Sequence, residues 1–248
     1  MSRLVLCVAT RRWHGWFDCV QTWTVTSNLR YRIQVVPDQD VLPAYQELYE
    51  TTYEPILGFL HDDLEIYEPD WDLRVMAEFD DPTIGMVGFG GARGHGTANL
   101  YEVPYHLPNL ARQGFMSNMR EWYLHGSLEK GNRDVAVLDG FAVFVRRSVL
   151  DSWKHYKPQV TKYPTFDMLD IWKVGGFPFG VPVGYFMWCE NLCCEVRRQG
   201  FRIRLVGVEC HHIGGRTSTV HQISDDYQAE HAYFYSANRD VMPYAVKE

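Results

Sequence analysis

Hydrophobic positions in this chain fall in short unbroken runs, separated by stretches with helical spacing. That alternation predicts an α/β domain with a mixed, mostly parallel sheet flanked by helices. Leu4 to Ala9 reads as a buried first strand, followed by a polar loop at Thr10-Arg11-Arg12. Tyr31 to Val36 reads as a second strand ending at Pro37-Asp38. Asp40 then caps a helix whose apolar face is Val41, Ala44, Tyr45, Leu48 and Tyr49, with Pro43 tolerated in its first turn. Ile56 to Leu60 is a third strand and runs directly into His61-Asp62-Asp63. Trp71, Val75 and Phe79, four apart, predict a helix over Pro69 to Phe79. Ile84 to Gly88 is a further strand that opens a glycine-rich stretch reaching Gly94.

The second half is less regular. Residues 95 to 134 are polar, with Tyr101, Tyr105, Phe115, Trp122 and Tyr123 scattered without periodicity, and are expected to form a lid or acceptor loop. Val135 to Val145 is strand-like but interrupted by Asp139-Gly140. Asn191 to Gln199 predicts a helix stopped by Gly200, and Phe201 to Val208 a final strand leading to Cys210-His211-His212. With no repeat and no Pro/Gly/Ser linker, the expected organisation is one domain over 1–216. A helical or loose tail, 217–248, packs on it or extends from it.

Composition narrows the class. Of 248 residues, 46% are hydrophobic and 22% charged, which excludes a disordered chain. No apolar run approaches the roughly 18 residues that span a bilayer, and the opening residues lack a signal peptide's apolar segment. A soluble, cytoplasmic protein is expected. Twenty-four basic against 31 acidic residues give a net charge of −7, without the basic footprint of a dedicated nucleic-acid binder. Six cysteines with no Cys-x-x-Cys spacing argue against both a disulfide scaffold and a zinc knuckle. Eight Trp and fifteen Tyr supply either a large core or aromatic walls around a sugar or base.

In open α/β sheets, ligands bind beyond the carboxyl ends of the strands. His61-Asp62-Asp63 sits at such an end, and an acidic pair directly after an apolar strand is costly unless its charge is compensated. His211-His212, followed by Gly214-Gly215, closes the last strand in the same way. Mixed carboxylate and imidazole ligands suit Mn2+ or Mg2+ better than a thiolate-loving metal. If the two strand ends are neighbours, Asp63, His61 and one or other of His211 and His212 make a cation site.

These segments, in order, resemble the GT-A fold glycosyltransferases, close to family 2. Ile56 to Asp63 resembles the strand leading into that family's Asp-x-Asp motif, with His61 in the first acidic position. Thr83 to Gly88 and the following glycines resemble the next segment, and Leu138-Asp139-Gly140 through Arg146-Arg147 the acceptor-side segment. Asn191 to Phe201 resembles the helix that closes the catalytic half, and His211-His212 the terminal histidine that helps ligate the metal. The similarity runs from residue 3 to about 216. Trp188-Cys189-Glu190-Asn191 departs from the family, which often places an acidic pair there; Glu190 is the carboxylate that remains.

The resemblance implies transfer of a sugar from a nucleoside-diphosphate sugar to an acceptor: a glycan, a lipid-linked sugar, a protein or a modified nucleobase. It implies Glu190 as general base and Asp139 as the residue orienting the acceptor hydroxyl, with inversion at the anomeric carbon. Thr10, Arg11, Asp38, Asp62 and Arg93 fall to the donor, Asp38 at its base or ribose and the arginines, Arg12 among them, at its phosphates. The Gly88 to Gly96 stretch lacks a Gly-Lys-Ser/Thr ending, so it is read as tight backbone packing and not as a phosphate loop. Two other readings stand beside this one. The first is a metal-dependent phosphoester hydrolase using His61, Asp62, Asp63, His211 and His212; the second is a non-catalytic nucleotide-sugar-binding module.

Overall fold

In the computed structural model a seven-stranded sheet runs, edge to edge, through β10 (Asn132–Val135), β13 (Arg202–Val206), β5 (Ile84–Gly88), β12 (Ala142–Arg146), β3 (Ile56–His61), β1 (Leu4–Thr10) and β2 (Arg32–Pro37). The structure describes residues 3–10, 16–38, 41–95, 114–116, 127–128, 131–153, 187–213, 234, 238–242 and 244–246. β1, β2, β3, β5 and β13 share one direction, and β12 and β10 run against them. Both faces are covered. Because side chains alternate along a strand, β1 sends Leu4, Leu6 and Val8 into one core and Val5 and Cys7 into the other. Burial on both sides is why these strands read as unbroken apolar runs.

On the Val5 side lie α2 (Val41–Thr51), α4 (Arg147–Trp153) and α5 (Trp188–Arg198), contributing Tyr45, Leu48, Leu150, Leu192 and Val196. On the Leu4 side lie α1 (Trp16–Val25) and α3 (Trp71–Glu78), whose Trp23 and Trp71 are wholly buried. Gly200, at φ 81°, ends α5 in the left-handed region that favours glycine. Three smaller sheets flank the main one. They are β11-β6-β8-β9 (β6 Gly90–Ala92, β8 Gly114–Met116, β9 Ser127–Leu128, β11 Val137–Leu138), β14-β4 (β4 Leu64–Ile66, β14 Cys210–His212) and β15-β7 (β7 Gly94–His95, β15 Tyr244–Ala245). A Cβ on Gly91 would run into the Val137 carbonyl oxygen, so the glycine-rich stretch serves close backbone packing, of β6 on β11.

Several expectations change. Asn132–Val135, inside the span read as irregular, is the edge strand β10; its polar sequence suits an edge with one neighbour. The strand expected over Phe201 to Val208 stops at Val206, and Cys210–His212 is a separate strand paired with β4. α5 starts at Trp188, three residues ahead of the expected Asn191. Helices α1 and α4 were not expected; α1 buries only Cys19 and Trp23, a stripe too narrow to stand out among its Thr and Val residues. Asp40, Arg11, Arg12, Gly214, Gly215 and the aromatics Tyr101, Tyr105, Trp122 and Tyr123 lie outside the described residues. Within 217–248, Asn238 hydrogen-bonds Asn191 and Arg198 pairs with Asp240 at 2.6 Å, so these residues sit against α5. Among the described residues no helix is long and apolar enough to cross a membrane.

The turn between α1 and β2 is tied to α3 by a buried carboxylate. Asp72 accepts hydrogen bonds from the backbone N–H groups of Asn28, at 3.0 Å, and Leu29, at 2.5 Å, and is fully buried. Asp72→Ala leaves those donors without their partner. It is expected to lower unfolding free energy by about 2–3 kcal/mol, read as a lower urea midpoint at unchanged slope.

Candidate metal centre

Parallel β1, β2 and β3 finish together, with Thr10 opposite Pro37 and Ala9 opposite His61, so their carboxyl ends form one edge. The antiparallel β12 starts at that edge, and the N–H of His61 donates to the Phe141 carbonyl just before it, at 2.9 Å. The chain then turns from β3 into β4, and β14 pairs with β4 in antiparallel register: Cys210 with Ile66, His211 with Glu65, His212 with Leu64. One bond beyond the ladder, the N–H of Ile213 donates to the Asp63 carbonyl at 2.9 Å.

That register brings three donor atoms together. His212 Nε2 lies 3.2 Å from Asp63 Oδ1 and 3.1 Å from His61 Nδ1, and His61 Nδ1 lies 3.9 Å from Asp63 Oδ1. Each residue is partly buried. These separations leave a point about 2 Å from all three atoms, the distance at which nitrogen and oxygen ligands hold a small divalent cation. Burial, and then the neighbouring His212, push His61 down to about 4, so at neutral pH its ring keeps a lone pair to offer. The Phe141 ring stacks on His212, centroids 4.9 Å apart and planes 15° apart, and fixes the imidazole's orientation. The donor set therefore fits a divalent ion, with His61, Asp63 and His212 as its holders.

The other candidates are arranged around this cluster. Asp62 is not one of the three donors and accepts from the Thr10 hydroxyl at 2.7 Å. His211 does not join it: adjacent residues on a strand face opposite sides, and His211 turns to Glu65, 3.0 Å away, which also accepts from the Tyr67 hydroxyl. Asp38, exposed, holds a left-handed φ of 57° and its N–H donates to the Thr10 carbonyl at 2.9 Å, placing it at the same edge. Asp139 is exposed in the turn between β11 and β12, not inside a strand, so the compensation expected for a buried carboxylate is not required. Its charge still reaches His61. Glu190 stands in the first turn of α5, half-buried; burial, Cys193, Glu190 and Asp139 together hold the Cys189 thiol well above its ordinary range. A Cβ on Gly140 would stand 2.9 Å from the Trp188 ring, so the Asp139 turn and the start of α5 are in contact. Arg93 lies between β6 and β7, its carbonyl accepting from the Val246 N–H at 2.9 Å. Arg11 lies outside the described residues.

Phe141 and Glu65 were not singled out from sequence. Glu65 carried a signal, since Leu64-Glu65-Ile66 alternates with period two; Phe141 carried none, its stacking being a consequence of β14 folding back.

No protein-family model matches the chain, and no curated protein does. Solved structures do. A mannosyltransferase from Pyrobaculum calidifontis, in complex with GDP-Man and Mn2+, superposes with a TM-score of 0.55 at 12% identity, over 99% of this chain and 66% of its own. GalNAc-T7, with UDP, GalNAc and Mn2+, superposes with a TM-score of 0.51 at 10% identity, over 86% of this chain and 44% of its own. The chain thus spans less than two thirds of either protein. The likeness is one of fold, a mixed α/β architecture of the GT-A type.

Replacing Phe141 by Leu keeps an apolar side chain against the core but removes the flat face under His212. Stability is expected to fall by about 1–1.5 kcal/mol, and Mn2+ affinity by roughly tenfold, as for partners that orient metal ligands. Urea unfolding and calorimetric titration with Mn2+ measure the two effects separately.

Proposed function

We propose that this chain is a divalent-cation-dependent glycosyltransferase that moves a sugar from a nucleoside-diphosphate sugar to an acceptor hydroxyl on a glycan, lipid-linked sugar, protein or modified nucleobase. The observation that carries the reading is the His61–Asp63–His212 cluster at the carboxyl edge of a GT-A sheet, with Thr10–Asp62 and Asp38 beside it. Support comes from the two superposed proteins, each solved with a nucleotide or nucleotide-sugar and Mn2+. A cation held by His61, Asp63 and His212, Mn2+ or Mg2+, would neutralise the charge that develops on the departing diphosphate. A cytoplasmic location belongs to the same proposal; six buried cysteines, none in a disulfide, are compatible with it.

The chain's own residues divide the remaining work. Asp38 takes the ribose or base, and the Thr10 hydroxyl fixes the Asp62 carboxylate at the donor's side of the edge. Asp139, exposed one residue before the glycine that abuts Trp188, receives the acceptor hydroxyl and orients it. Glu190 takes that hydroxyl's proton as the oxygen bonds to the anomeric carbon and the bond to the diphosphate breaks, with inversion of configuration. A two-ion phosphoester hydrolase needs carboxylates that bridge the ions, and among the described residues the cluster holds one. A donor-binding module without turnover has one observation in its favour: Cys189, buried and neutral, stands where the resembled family often has an acid.

Asp63→Ala is expected to abolish Mn2+-dependent binding of UDP and GDP in calorimetry while leaving the circular dichroism spectrum and cooperative unfolding intact. Unchanged affinity removes Asp63 from the site. Glu190→Gln is expected to slow turnover by about 10² to 10⁴ with donor affinity nearly unaltered, and Asp139→Asn to raise the acceptor's KM. Wild-type transfer by Glu190→Gln excludes Glu190 as base, and donor binding without transfer or hydrolysis across an acceptor panel supports the module.

A further inference from the structure

On the reading of Asp139 as the residue that orients the acceptor, we infer that Cys189, Cys193 and Arg197 are its positioning residues. As one stripe of α5 they hold β11, and through it the Asp139 turn. Among the described residues β11 is the end strand of its four-stranded sheet, paired with β6. Ala136 and Leu138 are buried there, so the backbone groups that β6 does not take need other partners. α5 supplies them. The Cys189 thiol donates to the Leu138 carbonyl at 3.2 Å, and the Leu138 N–H donates to Cys193 Sγ at 3.4 Å. The Arg197 guanidinium donates to the Ala136 carbonyl. Positions 189, 193 and 197 are spaced by four and lie along one face of the helix.

The two cysteines are closed to solvent and act only on the strand. Burial, and then Cys193 beside it, keep the Cys189 thiol protonated, the form that can donate. A carboxylate at position 189 would set one acceptor against another, the Leu138 carbonyl; a neutral thiol gives that carbonyl its donor. What the stripe fixes is the residue after Leu138. The Leu138 side chain lies against Gly88, where an added Cβ would stand 2.9 Å from it, and the Asp139 N–H donates to the Gly90 carbonyl at 2.9 Å. Beyond Asp139, its Oδ1 accepts from the Phe141 N–H at 3.4 Å and Gly140 abuts the Trp188 ring. The turn is thus held on one side by Cys189 and Cys193 and on the other by Trp188, all from α5. The same helix carries Glu190, so the stripe sets the spacing between the carboxylate that receives the acceptor and the one that takes its proton.

The test combines NMR-detected exchange of the Leu138 amide with steady-state transfer from UDP- and GDP-sugars to an acceptor panel. Valine fills a similar space to cysteine with neither donor nor acceptor. Cys193→Val is expected to speed exchange of the Leu138 amide by roughly tenfold or more. Cys189→Val and Cys193→Val are each expected to raise the acceptor's KM by roughly tenfold, with kcat and Mn2+-dependent UDP affinity within about twofold of wild type. Cys189→Ser, which restores an O–H donor, is expected to bring KM back toward the wild-type value. A wild-type Leu138 amide that exchanges like an unprotected peptide overturns the inference and leaves the proposed activity standing. So does an acceptor KM unchanged in both valine variants, or Cys189→Ser as impaired as Cys189→Val. A wild-type protein that transfers from neither donor type to any acceptor overturns both. If the valine variants do not fold, Arg197→Gln tests the same strand from its other end: the same rise in KM is expected, and an unchanged KM overturns the inference.

Discussion

His212 reaches Asp63 because β14 pairs with β4 in a register that sets it opposite Leu64, and the rest of the candidate site follows from that pairing. Three residue pairs and the Ile213-to-Asp63 hydrogen bond hold two strands that are almost 150 residues apart in sequence. Without the ladder, His61 and Asp63 are an imidazole and a carboxylate on a turn, exposed to water and free to separate. With it, a second imidazole arrives on the buried side, Phe141 closes over its ring, and His61 is left in a setting that disfavours its charged form. A slip of one residue in β14 would exchange His212 for His211 and break both the cluster and the His211–Glu65 pair.

The antiparallel β12 is the second constraint. Inserted between parallel β3 and β5, it begins where its neighbours end, so the turn before it lies at the edge that collects ligands. Asp139, Gly140 and Phe141 are therefore delivered to the same place as Thr10, Asp38 and His61. The close approach of Gly140 to Trp188 then fixes the start of α5 against that turn and sets Glu190 on the same flank. A sheet with every strand parallel would carry this turn to the opposite edge.

The central strands were legible because burial on both faces writes them as apolar runs: Leu4–Thr10, Ile56–His61 and Ile84–Gly88 all lie within a residue of expectation. So were His61, Asp63 and the pair of histidines, since charged and ligating groups at a strand's carboxyl end stand out against the run before them. The choice between His211 and His212 was not legible. It depends on which face of β14 meets β3, and three residues of strand, Cys210 to His212, carry no pattern that reveals it. Helix α1 was hidden by Thr and Val residues that favour strands, and is held as a helix by tertiary contacts, among them the Trp23 indole donating to the Leu64 carbonyl at 2.7 Å. β10 was missed because an edge strand has no second neighbour and no need of an apolar run.

The charge at the edge explains why cation and donor would act as one ligand under the proposed activity. Asp38, Asp62, Asp63 and Asp139 gather there, while the two imidazoles of the cluster add no positive charge: burial holds His61 neutral, and a nitrogen that binds a metal must also be unprotonated. The chain as a whole carries −7, although at physiological salt fields fade over about 8 Å and the local groups dominate. An edge of this sign repels a diphosphate. One divalent ion exceeds the single carboxylate that holds it and leaves a positive centre aimed at the strand ends, where the nucleotide would lie. The nitrogen-rich donor set matters in this balance: a second carboxylate in place of His61 or His212 would hold the ion more strongly by charge but cancel the excess that attracts the phosphates.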